Sequence, residues 1–436
     1  MMLLSLVGSA ADPHGGLLAA AVVDGQGASG AHWTWDQVRY LLPLGITGGL
    51  SWSVWLLRFS LSRFYRPVPV GFRSTTSVIV PAYREDPDIL DRCIASVLAE
   101  RPSEVIVVPD VEDLEVISRL LRIEDPRLRV IPFVHRGKRS ALAVGIRAAS
   151  SEILVLADSD TRWRPGLLDA IQAPFADPAV GGVGSRQNVY MPKSSVWRRA
   201  ANWMINIRYL DYVPAQSRSG AVACLSGRTA AYRRAAVLPV LEHLEYEFFL
   251  GRLCVAGDDG RLTWLILASG FRTVHQSSAR ALSMFPNTPS ALVKQRVRWS
   301  RNSYRCYLTA IHKGWLWRQP LICQLSVLQV MLTPVTMGIA LYYLARWFER
   351  PQPFVATMAL AWLLIGRALR GLSHLSRHPS DIVVLPLVAL LTVFIAIAVK
   401  SYALVTMNKQ GWMTRHSDLI GGDGQGASTL SRGARV

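Results

Sequence analysis

Three short polar motifs hold the residues of this chain best suited to chemistry: Asp158-Ser159-Asp160, Gly257-Asp258-Asp259 and Gln295-Arg296-Val297-Arg298-Trp299. Asp158 and Asp160 stand two residues apart, directly after the apolar run 153–156. Such a pair can share a hard divalent ion, Mg²⁺ or Mn²⁺, whose other ligands are diphosphate oxygens and water. An ion held there would stabilise the charge on a departing nucleoside diphosphate. The same residues also make ordinary polar turns, so the pair alone leaves both roles open. Asp258 and Asp259 precede the apolar run 262–268, where Asp commonly caps a helix. One of them, with Asp259 favoured, could instead be a general base that deprotonates an attacking hydroxyl. Gln295, Arg298 and Trp299 fall within about one helical turn. Arg298 suits a phosphate bidentately, and Trp299 offers an apolar face to a sugar ring. Arg and Trp are also common on helices at a membrane interface. Lys138, within His135-Arg136-Gly137-Lys138-Arg139, is a further phosphate contact or part of a solvated loop.

These residues need a frame, and residues 77–156 supply its pattern. Apolar runs at 77–80, 105–108, 129–132 and 153–156 alternate with helical periodicity at 89–98, 114–121 and 140–149. That alternation predicts an α/β domain with a mostly parallel sheet and helices on both faces. Ligands of such sheets bind at the carboxyl ends of the strands, where Asp110 and Asp158 both fall. Residues 197–212 and 292–317 read as amphipathic helices mixing aromatic and basic residues. They suit either a membrane interface or the surface of the globular domain.

The composition adds a membrane. Half of the 436 residues are hydrophobic and mean hydropathy is +0.23. The long apolar runs lie towards the two ends. The expected organisation is a leader and linker at 1–36, a membrane helix at 37–66, and a cytosolic catalytic domain at 70–285. Interfacial helices at 286–318, membrane helices at 319–407, a segment at 408–420 and a disordered tail at 421–436 complete it. One span before the domain and three after it would put the C terminus outside. The segment around Trp412 and Arg415, however, is expected near the active site. The net charge of +18 invites an acidic partner, but Arg58, Arg63, Arg66, Arg367, Arg370 and Arg377 flank apolar runs. Lipid headgroups and the positive-inside rule account for them, and no nucleic-acid partner is expected. Five cysteines without a C-x-x-C pair fit a reduced compartment rather than disulfides or a zinc site.

Taken in order, Val78-Ile-Val-Pro-Ala-Tyr-Arg-Glu-Asp86, Asp110, Gly137-Lys138-Arg139, Asp158-Ser-Asp160, Gly257-Asp-Asp259 and Gln295-x-x-Arg298-Trp299 resemble the processive family-2 glycosyltransferases. Within them the chain looks most like hyaluronan synthases and chitin-oligosaccharide synthases. Cys224-Leu225-Ser226-Gly227 is similar to their acceptor segment, and Trp412-Met-Thr-Arg415 to their Trp-Gly-Thr-Arg motif. The resemblance covers about residues 75–415. It implies a GT-A domain between transmembrane and interfacial helices of a multi-pass plasma-membrane protein. Its substrates would be a UDP-sugar donor and a growing polysaccharide acceptor. Ala82, Tyr83, Glu85 and Asp110 would meet the uridine, Lys138 and Asp158 the diphosphate, and Asp160 with Asp158 the metal. Asp259 would be the base, with Asp258 beside it. Gln295, Arg298 and Trp299 would hold the donor diphosphate and acceptor, and Cys224, Ser226 and Gly227 would line the acceptor site. Trp412 and Arg415 would support the closed site. Arg228, Met413 and Pro109 depart from the family pattern around the sugar contacts. A non-processive enzyme acting on a lipid-linked acceptor and a catalytically silent scaffold are the competing readings.

Overall fold

Residues 45–348 and 353–409 are described by the computed structural model. The chain divides into units Met1–Gly48 and Gly49–Val436, and the account below concerns the second. Helix α1 (Gly45–Arg63) leads into β1 (Thr76–Ala82), which is buried along its whole length. Then follow α2 (Pro87–Leu98), β2 (Glu104–Pro109), α3 (Leu114–Leu121), β3 (Leu128–Val130), α4 (Lys138–Ala148) and β4 (Ile153–Ala157). These match the predicted alternation, with ends shifted by a residue or two as frayed termini allow. Continuing along the chain are β5 (Thr161–Trp163), α5 (Leu167–Gln172), β6 (Val180–Val189), α6 (Val196–Ile207), α7 (Val213–Arg218) and β7 (Thr229–Arg233). After a short hairpin of β8 (Phe248–Phe249) and β9 (Arg252–Leu253) come α8 (Asp258–Ala268) and β10 (Arg272–Ser283). The eight-stranded sheet runs β3-β2-β1-β4-β7-β6-β10-β5. Strands β3, β2, β1 and β4 are parallel, whereas β7 pairs antiparallel with both β4 and β6.

Alternation within the strands builds the layers. Ile79, Ile106, Leu154 and Leu156 face one side with Leu142 and Ile146 of α4. Val78, Val80, Val105 and Val107 face the other, with Leu90, Ile94 and Val97 of α2. A period of two sends neighbours to opposite faces, so these near-continuous apolar runs are buried on both. Helix α2 starts where Asp86 accepts hydrogen bonds from the Asp88 and Ile89 amides, with Pro87 at its first position.

Beyond the sheet lie α9 (Pro289–His312), α10 (Leu321–Phe348), α11 (Pro353–Arg370), α12 (Leu385–Phe394) and α13 (Lys400–Val405). The stretches Leu321–Ile339 and Pro379–Val405 are long and apolar enough to cross a membrane. The stretch 197–212 is not a solvated surface helix, because two of its faces are apolar and covered. Ala201, Ile205 and Tyr209 enter the sheet-side core, while Ala200, Trp203 and Ile207 pack on Val388 and Leu391 of α12. A helix apolar on opposite sides is stable only between two layers. Past Ile207 it widens into a π turn, Arg208–Tyr212. Trp412 and Arg415, like the segments 1–44 and 410–436, lie outside the described residues.

Candidate active site

Three parallel strands end side by side, and each delivers a residue singled out in the sequence. At the end of β1, Ala82 is buried, and its carbonyl accepts from the Asp110 amide just past β2 at 3.1 Å. Tyr83 stacks on His135, with ring centroids 3.6 Å apart and planes at 15°. The Glu85 carboxylate accepts a hydrogen bond from the Ser159 hydroxyl. Ala82, Tyr83, Glu85 and Asp110 therefore gather at the carboxyl edge of β1 and β2. Past β4, the Asp158 amide donates to the Arg228 carbonyl at 3.1 Å, which ties the Asp-Ser-Asp turn to the loop before β7.

Lys138 joins the motifs. It opens α4 after Gly137, whose φ of +111° is one that residues with a side chain rarely adopt. A Cβ there would also lie 2.8 Å from Val255 Cβ. The Lys138 Nζ stands 2.7 Å from Asp158 Oδ1 and 3.0 Å from Asp258 Oδ2. One ammonium thus bridges two carboxylates that lie 100 residues apart in sequence. Burial opposes the charge on Asp158, but Lys138 outweighs it and holds the carboxyl below its ordinary value. Asp259 goes the other way: burial and the neighbouring Asp258 charge raise its pKa. Gly257, with φ +80°, takes the N-cap position, so neither aspartate is the cap. Both fall in the first turn of α8, where the helix dipole favours negative charge.

The acceptor-like segment packs against this pair. The Leu225 amide donates to Thr263 Oγ1 at 3.0 Å, and that hydroxyl donates to the Asp259 carbonyl at 2.7 Å. A Cβ on Gly227 would lie 3.2 Å from both Asp258 Oδ2 and Lys138 Nζ, and 3.3 Å from Asp259 Cβ. Gly227→Val should consequently displace Lys138 and cut turnover about tenfold or more, since branched atoms would enter the charged cluster. Steady-state kinetics with a circular-dichroism check of the fold tests this, and unchanged turnover would remove Gly227 from the site. Ser226 is half-buried in the same segment. Desolvation pushes the Cys224 thiol up to about 12, so it lines the site rather than acting as a nucleophile.

Helix α9, capped by Thr288, supplies the last side. Gln295 is buried, and its Oε1 has no hydrogen-bond partner among the described residues. Burial lowers the Arg298 pKa, helped by the Arg228 charge and opposed by those of Asp158, Asp259 and Asp160. Trp299 meets Phe285 edge-on at 6.3 Å and 87°. Sequence reasoning passed over Arg208 and Arg296, and registered Arg228 only as a departure. Arg228 lies 4.1 Å from the Phe285 ring and 5.5 Å from Trp299, and Arg296 4.9 Å from Trp299. The signal available was the pairing of Arg296 and Arg298 around the site's tryptophan.

A divalent ion is tested by its donors. Among the described residues no three His, Cys, Asp or Glu side chains cluster to hold a metal. Asp158 and Asp160, both half-buried at the sheet edge, supply two carboxylates. That set fits an ion of the Mg²⁺ or Mn²⁺ kind bound largely through substrate phosphates and water, which such ions accept.

A mostly parallel sheet with an Asp-x-Asp turn at its carboxyl edge and a second acidic pair facing it defines a GT-A glycosyltransferase. Residues 73–302 match the family described as "Glycosyltransferase like family 2", and the chain belongs to that family. An N-acetylglucosaminyltransferase of Rhizobium leguminosarum bv. viciae is 30% identical over 377 residues, covering 81% of this chain and 83% of the relative. A hyaluronan synthase of Streptococcus pyogenes is 26% identical over 388 residues, covering 85% of this chain and 91% of the relative. In fold the chain is similar to a mannosyltransferase of Pyrobaculum calidifontis solved with GDP-Man and Mn²⁺. That structure has a TM-score of 0.58 and 20% identity, and the match covers 80% of this chain and 99% of the other.

Proposed function

We propose that the protein is a membrane-embedded, inverting, processive β-glycosyltransferase. It moves a sugar from a UDP-sugar to the non-reducing end of a growing polysaccharide, and carries the product across the membrane. One observation carries this reading. Asp158, Lys138, Asp258, Asp259 and Gly227 come together at the sheet's carboxyl edge, within the charge field of Arg298. The arrangement separates the two tasks of an inverting transfer. Lys138 and Arg298 offer cationic donors to a leaving diphosphate. Asp259, raised in basicity, takes the proton of the attacking hydroxyl. Ala82, Tyr83, Glu85 and Asp110 form the edge where a uridine would sit, and Asp160 with Asp158 would hold Mg²⁺ or Mn²⁺. That ion would neutralise charge on the departing diphosphate. Trp299 then presents its ring to the acceptor sugar, beside Gln295, Cys224 and Ser226. The apolar stretches Leu321–Ile339 and Pro379–Val405, with exposed Leu332, Val335, Ile339, Val383 and Leu390, suit lipid contact, and in this reading the sheet lies on the cytosolic side. Trp412 and Arg415 are assigned to support of the closed site through their motif alone.

The test is UDP release by the full chain in detergent, with single and paired UDP-sugars and Mn²⁺, followed by sizing of the product. Expected are release that EDTA abolishes and Mn²⁺ restores, and a product of many sugars. A product one sugar longer than a lipid acceptor would overturn processivity. No release with any donor from folded protein would overturn the assignment.

A further inference from the structure

Beside the acidic pair lies a second buried charge cluster, to which the transfer chemistry assigns no task. Glu247 directly precedes β8 and is buried. Its Oε2 accepts a hydrogen bond from Arg139 Nη1 at 2.7 Å. Its Oε1 stands 3.1 Å from Arg261 Nη1, an ion pair without the angle of a hydrogen bond. The side chains of Glu247, Arg139 and Arg261 are 8%, 3% and 12% exposed. Solvent screens such groups weakly, so the one carboxylate is what offsets the repulsion between two guanidiniums. The two arginines come from different helices. Arg139 follows Lys138 in α4, and Arg261 follows Asp259 and Gly260 in α8.

A buried ion pair can serve the fold alone, but this one converges on the Gly-Asp-Asp turn. Arg139 Nη2 donates to the Gly257 carbonyl at 3.1 Å, and the Arg261 amide reaches the same oxygen at 3.4 Å. The two arginines that share the Glu247 carboxylate therefore also share the carbonyl that opens α8. Helix α9 holds the turn as well: a Cβ on Gly257 would lie 2.9 Å from Asn302 Cγ, and Asn302 Oδ1 accepts from Arg305. Consecutive residues of α4 divide the contacts. Lys138 meets the Asp258 side chain, and Arg139 meets the backbone just before it. Asp259 sits in this first turn, so any shift of the turn carries its carboxylate along.

We infer that Glu247 is a positioning residue for sugar transfer: its carboxylate ties Arg139 to Arg261 and so fixes the first turn of α8, with Asp259, against the N-terminus of α4. This deepens the reading of Asp259 as the base and rests on it. Without the carboxylate the two guanidiniums repel, α8 moves off α4, and Asp259 loses its alignment with the attacking hydroxyl. Donor binding is spared, because Glu247 makes no contact with Lys138 or Arg298, the cations assigned to the diphosphate.

The test compares the full chain in detergent with Glu247→Gln and with Glu247→Gln combined with Arg261→Gln. Calorimetric titration of UDP with Mn²⁺ counts the folded sites, and transfer is expressed as kcat per such site. Glu247→Gln should lower kcat about tenfold to a hundredfold, the cost of misplacing a reacting group by up to about 1 Å. UDP affinity should stay within about twofold, since no phosphate contact is lost. Adding Arg261→Gln removes the second cation and should return kcat to within about threefold of the unmodified chain, as coupled neighbours do. Hydrogen exchange in Glu247→Gln should speed up about tenfold in peptides spanning 257–261 and stay unchanged in the sheet, as a local opening requires. If Glu247→Gln does not fold, Glu247→Asp keeps the charge one methylene short of both partners and should show the same split between kcat and UDP affinity. An unchanged kcat per site would overturn the proposal. So would a loss confined to the number of UDP-binding sites, the mark of an ion pair that serves the fold alone, or a double variant that recovers nothing. Absence of UDP release from any donor in the unmodified chain would defeat the glycosyltransferase reading instead, and exchange at 257–261 would still decide whether Glu247 holds the turn.

Discussion

Asp259→Asn should reduce the transfer rate about a thousandfold, within the range expected for loss of a positioned general base, while UDP affinity stays unchanged. Asparagine keeps the shape and the hydrogen-bonding capacity towards Gly260, whose amide donates to Asp259 Oδ1 at 2.8 Å. Only the ability to accept a proton goes. The environment makes a second, sharper demand. Burial and the Asp258 charge raise the Asp259 pKa. A base works only when ionised, so activity falls as pH drops through that raised value. The acid limb of kcat/KM should therefore lie above the ordinary carboxylate range. Asp258→Asn removes the nearby charge and should move that limb to lower pH. Stability follows the same sign. A carboxyl whose folded-state pKa is raised disfavours folding once pH exceeds its unfolded value, because the folded state resists ionisation. At neutral pH Asp259→Asn should unfold no earlier than the unmodified chain. A thermal scan beside the pH profile checks both. Full transfer activity in the Asp259→Asn variant would assign the base elsewhere.

The first half of the sheet was legible because its strands are apolar on both faces and end in turn residues. Residues 153–156 are Ile-Leu-Val-Leu, followed at once by Asp158, and few structures other than a buried parallel strand accommodate that. Strands β6, β7 and β10 gave no such signal. Val180–Val189 carries three glycines, Arg186, Gln187 and Asn188, and its order emerges only from pairing with β10 and β7. Glycine there has a packing reason invisible in one dimension: a Cβ on Gly182 would lie 2.7 Å from Leu225. The motifs could be read singly, but their meeting could not. Lys138 is 120 residues from Asp258, and no periodicity links them. Arg228 was seen as an oddity of the acceptor segment. Its stacking against Phe285 and Trp299 depends on three separate elements closing on one point. The two-sided burial of helix α6 was hidden for a related reason. Its aromatic and basic residues read as one polar face, yet Arg198 and Arg199 turn to the Phe285 carbonyl and Asp381, leaving two apolar stripes to be covered.

Lys138→Met is expected to strike stability and donor binding together, since the residue it removes serves both. In the free protein the Lys138 ammonium is the counter-ion of Asp158 and Asp258, and the three side chains are 14%, 29% and 8% exposed. Breaking a fully buried pair costs more than replacing both partners, because a charge is left without compensation. The partial exposure of Asp158 lets water recover some of that loss, so the expected destabilisation is about 2 kcal/mol, below the fully buried range. The effect should depend on pH in a definite sense. Lys138 holds the Asp158 pKa below its unfolded value. That stabilisation is therefore present above the unfolded carboxyl pKa and disappears as pH falls through the lowered folded one. The difference between Lys138→Met and the unmodified protein should shrink in strong acid. Adding Asp158→Asn to Lys138→Met should cost less than the sum of the single changes, the signature of a direct pair. For the donor, one charge-assisted contact to phosphate is lost, which predicts UDP binding weakened by about tenfold to a hundredfold. Uridine, which lacks phosphate, should lose far less. Equal weakening of uridine and UDP would mean that Lys138 supports the nucleoside edge through Gly137 and the α4 N-terminus, and does not touch the diphosphate.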